Sequence, residues 1–162
     1  MNQINFRGTF VTTKLALPYL KKAKNPHVLN ISPPINLKNI WFENHTGYTI
    51  VKYGATMMSW GMSLEFQEFG IAVNTLWPQT TVATAAVKFE LGGDDMIQRS
   101  RTLAVMADAA YEILTCDSKK CTGNQLLDEE VLKETGTTDM KKYRVNPNCA
   151  EKDLFPDLFL DL

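Results

Sequence analysis

A chain of 162 residues is long enough for one domain with a buried core, and its 44% hydrophobic and 22% charged residues are typical of globular proteins. The net charge of −1 excludes an electrostatic basis for binding nucleic acid or an anionic membrane surface. No apolar run approaches the roughly 18 residues that a membrane span needs, and no secretory signal is visible, so we expect no membrane span.

The order of apolar and turn-forming residues predicts helices that alternate with strands. Helical spacing of apolar residues indicates the helices, and short β-branched runs bounded by proline or glycine indicate the strands. The predicted elements are, in chain order, a helix over Asn2–Lys22, a strand over His27–Ile31, a helix over Gly47–Phe69, a strand over Ile71–Trp77, a helix over Ala104–Thr115 and a strand over Thr122–Asp128. The segment Gln79–Arg101 is expected to be irregular and partly helical, and a tail follows from Glu129.

This alternation predicts an α/β fold with a parallel sheet. Ligands of such sheets bind beyond the carboxyl ends of the strands. Ser32 and Pro78–Thr81 follow two of the predicted strands, and Tyr48 opens the helix between them. We therefore expect these three places to meet at one crevice.

Tyr48 and Lys52 are four residues apart on a predicted helix, so their side chains share one face. A phenol normally keeps its proton up to a pKa of about 10. A nearby cation lowers that pKa and makes the phenol a general acid or base near neutrality. The spacing alone also arises by chance, and the expected crevice is what favours a catalytic role for this pair.

The three cysteines, Cys116, Cys121 and Cys149, are too few and too scattered for a disulfide framework, which indicates a reducing compartment. The spacing of Cys116 and Cys121 is not that of a zinc knuckle, and no second pair completes a site. We predict no metal site. His27 and His45 are interpreted as structural or solvated residues.

Five short stretches combine specific residues at specific spacings: Ile4-Asn5-Phe6-Arg7-Gly8, Leu29-Asn30-Ile31-Ser32, Tyr48 to Lys52, Asn74-Thr75-Leu76-Trp77-Pro78, and Thr122-Gly123-Asn124. In this order they resemble the signature elements of the short-chain dehydrogenase/reductase family. The resemblance covers most of the chain. It implies an oxidoreductase that uses a nicotinamide nucleotide, with NADP as the expected cofactor and NAD as the alternative.

The resemblance also implies roles for individual residues. Tyr48 would exchange a proton with a carbonyl or alcohol oxygen, and Lys52 would bind the nicotinamide ribose and lower the pKa of Tyr48. Asn5 would support a water in the proton relay, and Ser32 is the candidate to polarise the substrate carbonyl, with Asn36 and Thr46 as weaker alternatives. The residues that would lie near the nicotinamide amide and the phosphates are Pro78, Thr80 and Thr81, with Thr84 as an alternative to either of these two threonines.

The sequence departs from the family pattern at three places. Pro33 stands where the family has the second serine of a Ser-Ser pair, and Gln79 stands where a glycine follows the proline. None of the nine glycines forms the Gly-rich turn that holds a pyrophosphate. Met1 stands where the fifth helix of the family would begin.

We therefore expect the C-terminal, catalytic half of a Rossmann-type doubly wound parallel sheet, with about three strands and flanking helices, as a single partial domain over residues 1–162. Without a phosphate cradle the chain alone is expected to bind the nucleotide weakly and to turn over poorly. Two alternatives remain open: a non-catalytic truncated product that associates with intact family members, and an inert fragment.

The apolar segment Val82–Leu91 predicts a lid over a small hydrophobic carbonyl substrate. The resemblance implies homo- or hetero-oligomers formed through the helices Asn2–Lys22 and Gly47–Phe69, where the small residues Gly54, Ala55 and Gly61 would suit close packing or would face their own sheet. It also implies a peroxisomal or mitochondrial location, although the C-terminal Asp161-Leu162 is not a peroxisomal tripeptide.

Overall fold

The computed structural model describes residues 1–161, which form helices around three strands. The strands are β1 (His27–Ile31), β2 (Ala72–Trp77) and β3 (Gln125–Leu127). The α-helices are α1 (Thr9–Leu20), α2 (Ile40–Glu43), α3 (Thr46–Glu65), α4 (Gly93–Gln98), α5 (Ala104–Thr115) and α6 (Asp128–Glu134). Short π-helical turns cover Asn2–Gly8 and Val87–Leu91, and 3-10 turns cover Gln67–Phe69, Lys141–Tyr143 and Glu151–Asp153. No helix within residues 1–161 is both long enough and apolar enough to cross a bilayer.

The predicted α/β class, with a parallel sheet and flanking helices, is confirmed. The bounds of β1 and α5 agree with the prediction, and the helix before β2 stops at Gly70, whose φ of 65° is the left-handed cap conformation. The last strand is shorter than predicted. Gly123 adopts a φ of 78° and its N–H donates to the Val73 carbonyl at 2.9 Å, so regular pairing starts only at Gln125.

The chain divides into two compact units, of which unit 1 comprises Met1–Trp77 and Ile113–Leu126. Strand β1 pairs in parallel with β2, from His27 opposite Ala72 to Ile31 opposite Leu76, and β3 lies on the other side of β2. All six residues of β2 are buried, whereas Ile31 at the end of β1 is half exposed. Within the described residues β1 is therefore an edge strand of the sheet.

Helices α1 and α3 cover one face of this sheet, because apolar side chains from both pack against β1 and β2. The buried cluster consists of Met62, Phe66, Ile71 and Val73, with Leu17, Leu20, Val28 and Met58 packed around it. This packing holds α3 beside the carboxyl end of β1. It thereby sets the position of the residues in the first two turns of α3.

Unit 2 comprises Pro78–Glu112 and the chain from Leu127 onward. The tail that begins at Glu129 is folded here rather than extended: it forms most of α6, and Val131, Leu132 and Phe159 are buried. The backbone of the buried residue Arg101 forms an isolated antiparallel β-bridge with that of Arg144. This bridge connects two loops of unit 2.

Candidate functional site

Tyr48 and Lys52 lie in the first two turns of α3 and face the carboxyl end of β1. The Lys52 ammonium donates to the Ile31 carbonyl at 3.0 Å. The same nitrogen lies 5.9 Å from the centre of the Tyr48 ring and 5.0 Å from that of Trp77, which ends β2. Both Tyr48 and Lys52 are half-buried. The structure brings together the predicted tyrosine–lysine pair.

Ser32 lies at the same end of β1, but its hydroxyl points into α3. The side chain is fully buried, and its Oγ lies 2.7 Å from the Lys52 carbonyl and 2.7 Å from Thr56 Oγ1. Thr56 Oγ1 in turn donates to the Pro33 carbonyl at 2.7 Å. These bonds attach the end of β1 to the turn of α3 that carries Lys52. The role of Ser32 at a substrate carbonyl stays a prediction, whereas its structural role is evident.

The two weaker alternatives to Ser32 also have partners. Asn36 is half-buried, and its backbone is held by Tyr53: the Asn36 N–H donates to the phenol oxygen at 3.2 Å, and the phenol donates to the Asn36 carbonyl. Thr46 is exposed, and its hydroxyl donates to the Phe42 carbonyl at 2.6 Å. The loop after β1 is therefore fastened to α3 through the buried side chain of Tyr53.

Asn5 lies on the π-helical turn before α1 and lines the same cavity as Lys52. This cavity has a volume of about 760 Å³ and follows the open edge of β1, with Asn30, Ile31 and Ala55 among its walls. The turn is anchored on α3, because a methyl group at Gly54 would lie only 3.0 Å from two carbons of the Phe6 ring. Asn5, Lys52 and the end of β1 thus border one space.

Pro78, Thr80 and Thr81 belong to unit 2, where all three are buried. Thr80 Oγ1 donates to Glu129 Oε1 at 3.2 Å, and Thr81 Oγ1 lies 2.7 Å from Ser100 Oγ. Both threonine hydroxyls thus have partners inside unit 2. Their predicted contact with a cofactor stays a prediction.

Comparison with known proteins decides the family. The model of the family described as short chain dehydrogenase matches residues 1–91, which is more than half of the chain. The protein is a member of the short-chain dehydrogenase family. The family predicted from the five sequence stretches is thereby confirmed.

Relatives within the short-chain dehydrogenase family match nearly the whole chain. Proteins named hydroxysteroid dehydrogenase-like protein 2 are 51% identical in Xenopus tropicalis and 46% identical in Homo sapiens, over 99% of this chain and 37% of each relative. A dehydrogenase structure from Xanthomonas campestris superposes with a TM-score of 0.91 at 42% identity, over 99% of this chain and 57% of that one. A Mycobacterium thermoresistibile short-chain dehydrogenase superposes with a TM-score of 0.86 at 45% identity, over 99% and 56%. The chain thus spans a little over a third of the curated relatives.

Short-chain dehydrogenases typically bind a nicotinamide nucleotide, and the residues present fit one end of it. The Lys52 ammonium donates to the Ile31 carbonyl, and an ammonium is the kind of donor that ribose hydroxyls accept from. The Asn5 amide faces the same cavity. A diphosphate needs a cradle of backbone N–H groups, and none of the nine glycines has the spacing of that motif. The chain therefore fits the ribose end of the nucleotide and lacks the motif for its diphosphate.

A buried charge network in unit 2 was not foreseen from the sequence. Arg101 is fully buried, and its Nε donates to Glu129 Oε1 at 2.6 Å, its Nη1 donates to the Met140 carbonyl at 2.9 Å, and its Nη2 pairs with Glu151. Glu151 also pairs with Arg144 at 2.6 Å. Because charged residues are rarely buried unless paired, this network specifies how the tail folds in unit 2.

Asp128 lies beside this network and is fully buried. One of its oxygens accepts from the Gln79 N–H at 2.8 Å and from the Glu129 N–H at 2.7 Å, while the other has no hydrogen-bond partner among residues 1–161. Burial raises the pKa of Asp128 to about 6, against the opposing effect of the two N–H donors. The Asp128 carboxyl therefore anchors the residue after Pro78 to the start of α6.

Proposed function

We propose that the chain carries the proton-transfer half of an NADP(H)-dependent oxidoreductase that interconverts a hydrophobic carbonyl compound and its secondary alcohol. The observation that supports this proposal is the position of Lys52, which lines the cavity, donates to the Ile31 carbonyl and lies 5.9 Å from the centre of the half-buried Tyr48 ring. NAD(H) is the alternative nucleotide. When bound, the nicotinamide supplies or accepts the hydride.

The residues of this chain would act on the proton. In the direction of reduction, the Tyr48 hydroxyl donates its proton to the carbonyl oxygen as negative charge develops there. The Lys52 ammonium favours the phenolate that remains, because an adjacent cation stabilises the anionic form. Asn5, on the same cavity, would hold a water that returns the proton to Tyr48.

The hydrophobic substrate is proposed from the segment before α4. Its π-helical turn Val87–Leu91 exposes Phe89 and Leu91, which are 74% and 55% accessible, while Val87 is buried and anchors the turn. Exposed aromatic and aliphatic side chains next to a fixed anchor suit contact with an apolar molecule. We therefore propose a steroid-like or fatty acyl carbonyl compound as the substrate class.

The decisive experiment adds the portion of a relative's dehydrogenase domain that has no counterpart in this chain. The chain is joined to the remaining dehydrogenase portion of the Xenopus tropicalis relative, and the fusion is assayed with NADPH, NADH and a panel of hydrophobic ketones. We expect ketone-dependent oxidation of NADPH by the fusion and little or none by the chain alone, because the chain lacks a Gly-rich diphosphate motif. A folded, nucleotide-binding fusion that oxidises neither nucleotide with any ketone would contradict the proposal.

A second candidate function, association with another family member, has its own support. The outer face of α3 carries an apolar stripe of Ile50, Met57, Trp60 and Leu64, each about 60% exposed. A methyl group at Gly61, within this stripe, would meet no atom of another described element within 4 Å, whereas Gly54 is covered by Phe6 and Ala55 is buried. Of the three small residues, only Gly61 thus remains available for close helix packing. We propose that the stripe binds the same face of α3 in a second copy or in an intact relative.

Replacing Trp60 by Glu should abolish this association, since a carboxylate would be buried among apolar side chains. Multi-angle light scattering should show a dimer for the unchanged chain and a monomer for Trp60→Glu. Phe89→Glu, which changes a more exposed aromatic residue outside the stripe, should remain dimeric. A monomeric unchanged chain at micromolar concentration, or a dimer that tolerates Trp60→Glu, would exclude this interface.

A further inference from the structure

The outer edge of β1 presents backbone groups that face away from β2. The Ser32 N–H donates to the Leu76 carbonyl of β2 at 3.1 Å, whereas the Ile31 carbonyl points the other way and accepts from Lys52 at 3.0 Å. The peptide groups of a parallel strand alternate in direction, so the N–H and carbonyl of Leu29 also point away from β2. The sheet order within residues 1–161 is β1-β2-β3, and these groups therefore face a side with no strand.

Helix α1 overhangs this edge and forms one wall of the cavity that runs along it. The wall includes Gly8, Thr12, Ala16 and Leu20, which are four residues apart and so lie along one side of the helix. Three of these four residues are small, which leaves open space between the helix and the edge of β1. A segment that lay in this groove would be covered by α1.

The burial of the two strands shows that the sheet is incomplete at this edge. All six residues of β2 are buried, whereas four residues of β1 are half-buried and Ile31 is half exposed. Parallel strands occur almost only in sheets whose faces are both covered. An open strand edge is also a template for pairing with another chain. The edge of β1 is thus suited to accept a further parallel strand.

The comparison with solved structures indicates what this strand is. The chain covers 57% of the Xanthomonas campestris dehydrogenase, so more than two fifths of that chain has no counterpart here. A second copy of the present chain is a poorer occupant. Two β1 edges paired about a two-fold axis perpendicular to the sheet would bring two overhanging α1 helices into the same groove.

We propose that the outer edge of β1 binds, by parallel strand addition, the portion of a short-chain dehydrogenase domain that has no counterpart in this chain, supplied by a separate polypeptide. Main-chain hydrogen bonds to Leu29 would give affinity, and apolar side chains that enter the groove beneath α1 would give specificity. This surface differs from the apolar stripe on the outer face of α3.

The added strand would end beside the candidate site. Lys52 already donates to the Ile31 carbonyl, so the new ladder of hydrogen bonds stops there. The chain that follows the added strand would then continue next to Tyr48 and Lys52. Its contribution to the site rests on the proposed function, whereas the strand pairing does not require the proton chemistry.

The test mixes the ¹⁵N-labelled full chain with the remaining dehydrogenase portion of the Xenopus tropicalis relative, as a separate polypeptide, and follows amide hydrogen exchange by NMR. We expect exchange at Leu29 and Ile31 to slow by about tenfold or more in the complex, because their N–H groups gain acceptors. Exchange at Val28 and Asn30 should change less, since these alternate residues already pair with β2. This two-residue alternation distinguishes strand addition from contact elsewhere.

Two variants in the groove should weaken the complex by about tenfold or more. Thr12→Glu buries a carboxylate in the groove on binding, and Thr12 is exposed in the chain alone, so the chain should still fold. Leu29→Pro removes the outward N–H, and proline is tolerated on edge strands at such positions. The control Lys14→Glu changes an exposed residue on the opposite side of α1 and should bind as the unchanged chain does. Circular dichroism verifies that each variant is folded.

Three outcomes would overturn the proposal. They are the absence of a complex with the separate polypeptide, a complex without the alternating protection along β1, and the same protection on concentrating the chain alone, which would identify a second copy as the occupant. A complex with alternating protection beside an inactive fusion would contradict the proposed function and support strand addition. An active fusion without a complex between the separate polypeptides would contradict strand addition alone.

Discussion

Replacing Tyr48 by Phe in the active fusion should lower kcat by about 100- to 10,000-fold, the usual contribution of a positioned general acid. Phe keeps the ring beside Lys52, 5.9 Å from its ammonium, and removes only the oxygen that would carry the proton. Nucleotide affinity should therefore change little. Steady-state kinetics with NADPH and the best ketone measure the first quantity, and a fluorescence titration of NADPH measures the second.

The control for this variant is Tyr111→Phe, which removes a phenol oxygen from an exposed position on α5. It should keep the full rate. A positioned general acid contributes at least about 100-fold to the rate. If Tyr48→Phe retained more than about a tenth of kcat, the loss of rate would be smaller than that contribution, and Tyr48 would not be the proton donor. The association proposal would be untouched by that result, since it depends on the outer face of α3.

Arg101→Met should lower the free energy of unfolding by about 3–5 kcal/mol, because it leaves the buried Glu129 carboxylate with only the half-exposed Lys133 ammonium, at 3.4 Å, as a cationic partner. For a chain of this size that corresponds to a fall in Tm of about 10 °C. Far-UV circular dichroism in urea is the suitable measurement. Tryptophan fluorescence is less informative, because Trp41, Trp60 and Trp77 all belong to unit 1 whereas Arg101 belongs to unit 2.

Two further variants separate the charge effect from lost packing. Lys88→Met breaks an exposed ion pair with Asp94, at 3.2 Å, and should cost less than about 1 kcal/mol. The double variant Arg101→Met/Glu129→Gln also removes the buried carboxylate charge and keeps an acceptor for Thr80, so it should recover part of the loss. A double variant no more stable than Arg101→Met would show that packing, and not the buried charge, dominates.

The elements around the site were predictable because their signals are local. The run His27–Ile31 is β-branched and bounded by prolines, and it forms β1 at those bounds. The four-residue spacing of Tyr48 and Lys52 predicted a shared helix face, and α3 provides it. Helix and strand periodicity act over a few residues, so a single sequence contains this information.

The partners of Ser32 and Arg101 could not be predicted, because they come from distant parts of the chain. The hydroxyl of Ser32 is bound by Thr56, 24 residues away, and position on a strand does not indicate that contact. Arg101 meets Glu129 and Glu151, 28 and 50 residues away. Arg and Glu normally indicate a position at the surface, so the sequence alone does not predict that Arg101 and Glu129 are buried together.

Gly54 on α3 limits where the amide of Asn5 can lie. Any side chain at Gly54 would displace the Phe6 ring, and Asn5 is the residue next to Phe6. Selection for the proposed proton relay would therefore also act on position 54. A restriction of position 54 to glycine would then reflect the placement of the neighbouring turn, and not a chemical role of residue 54 itself.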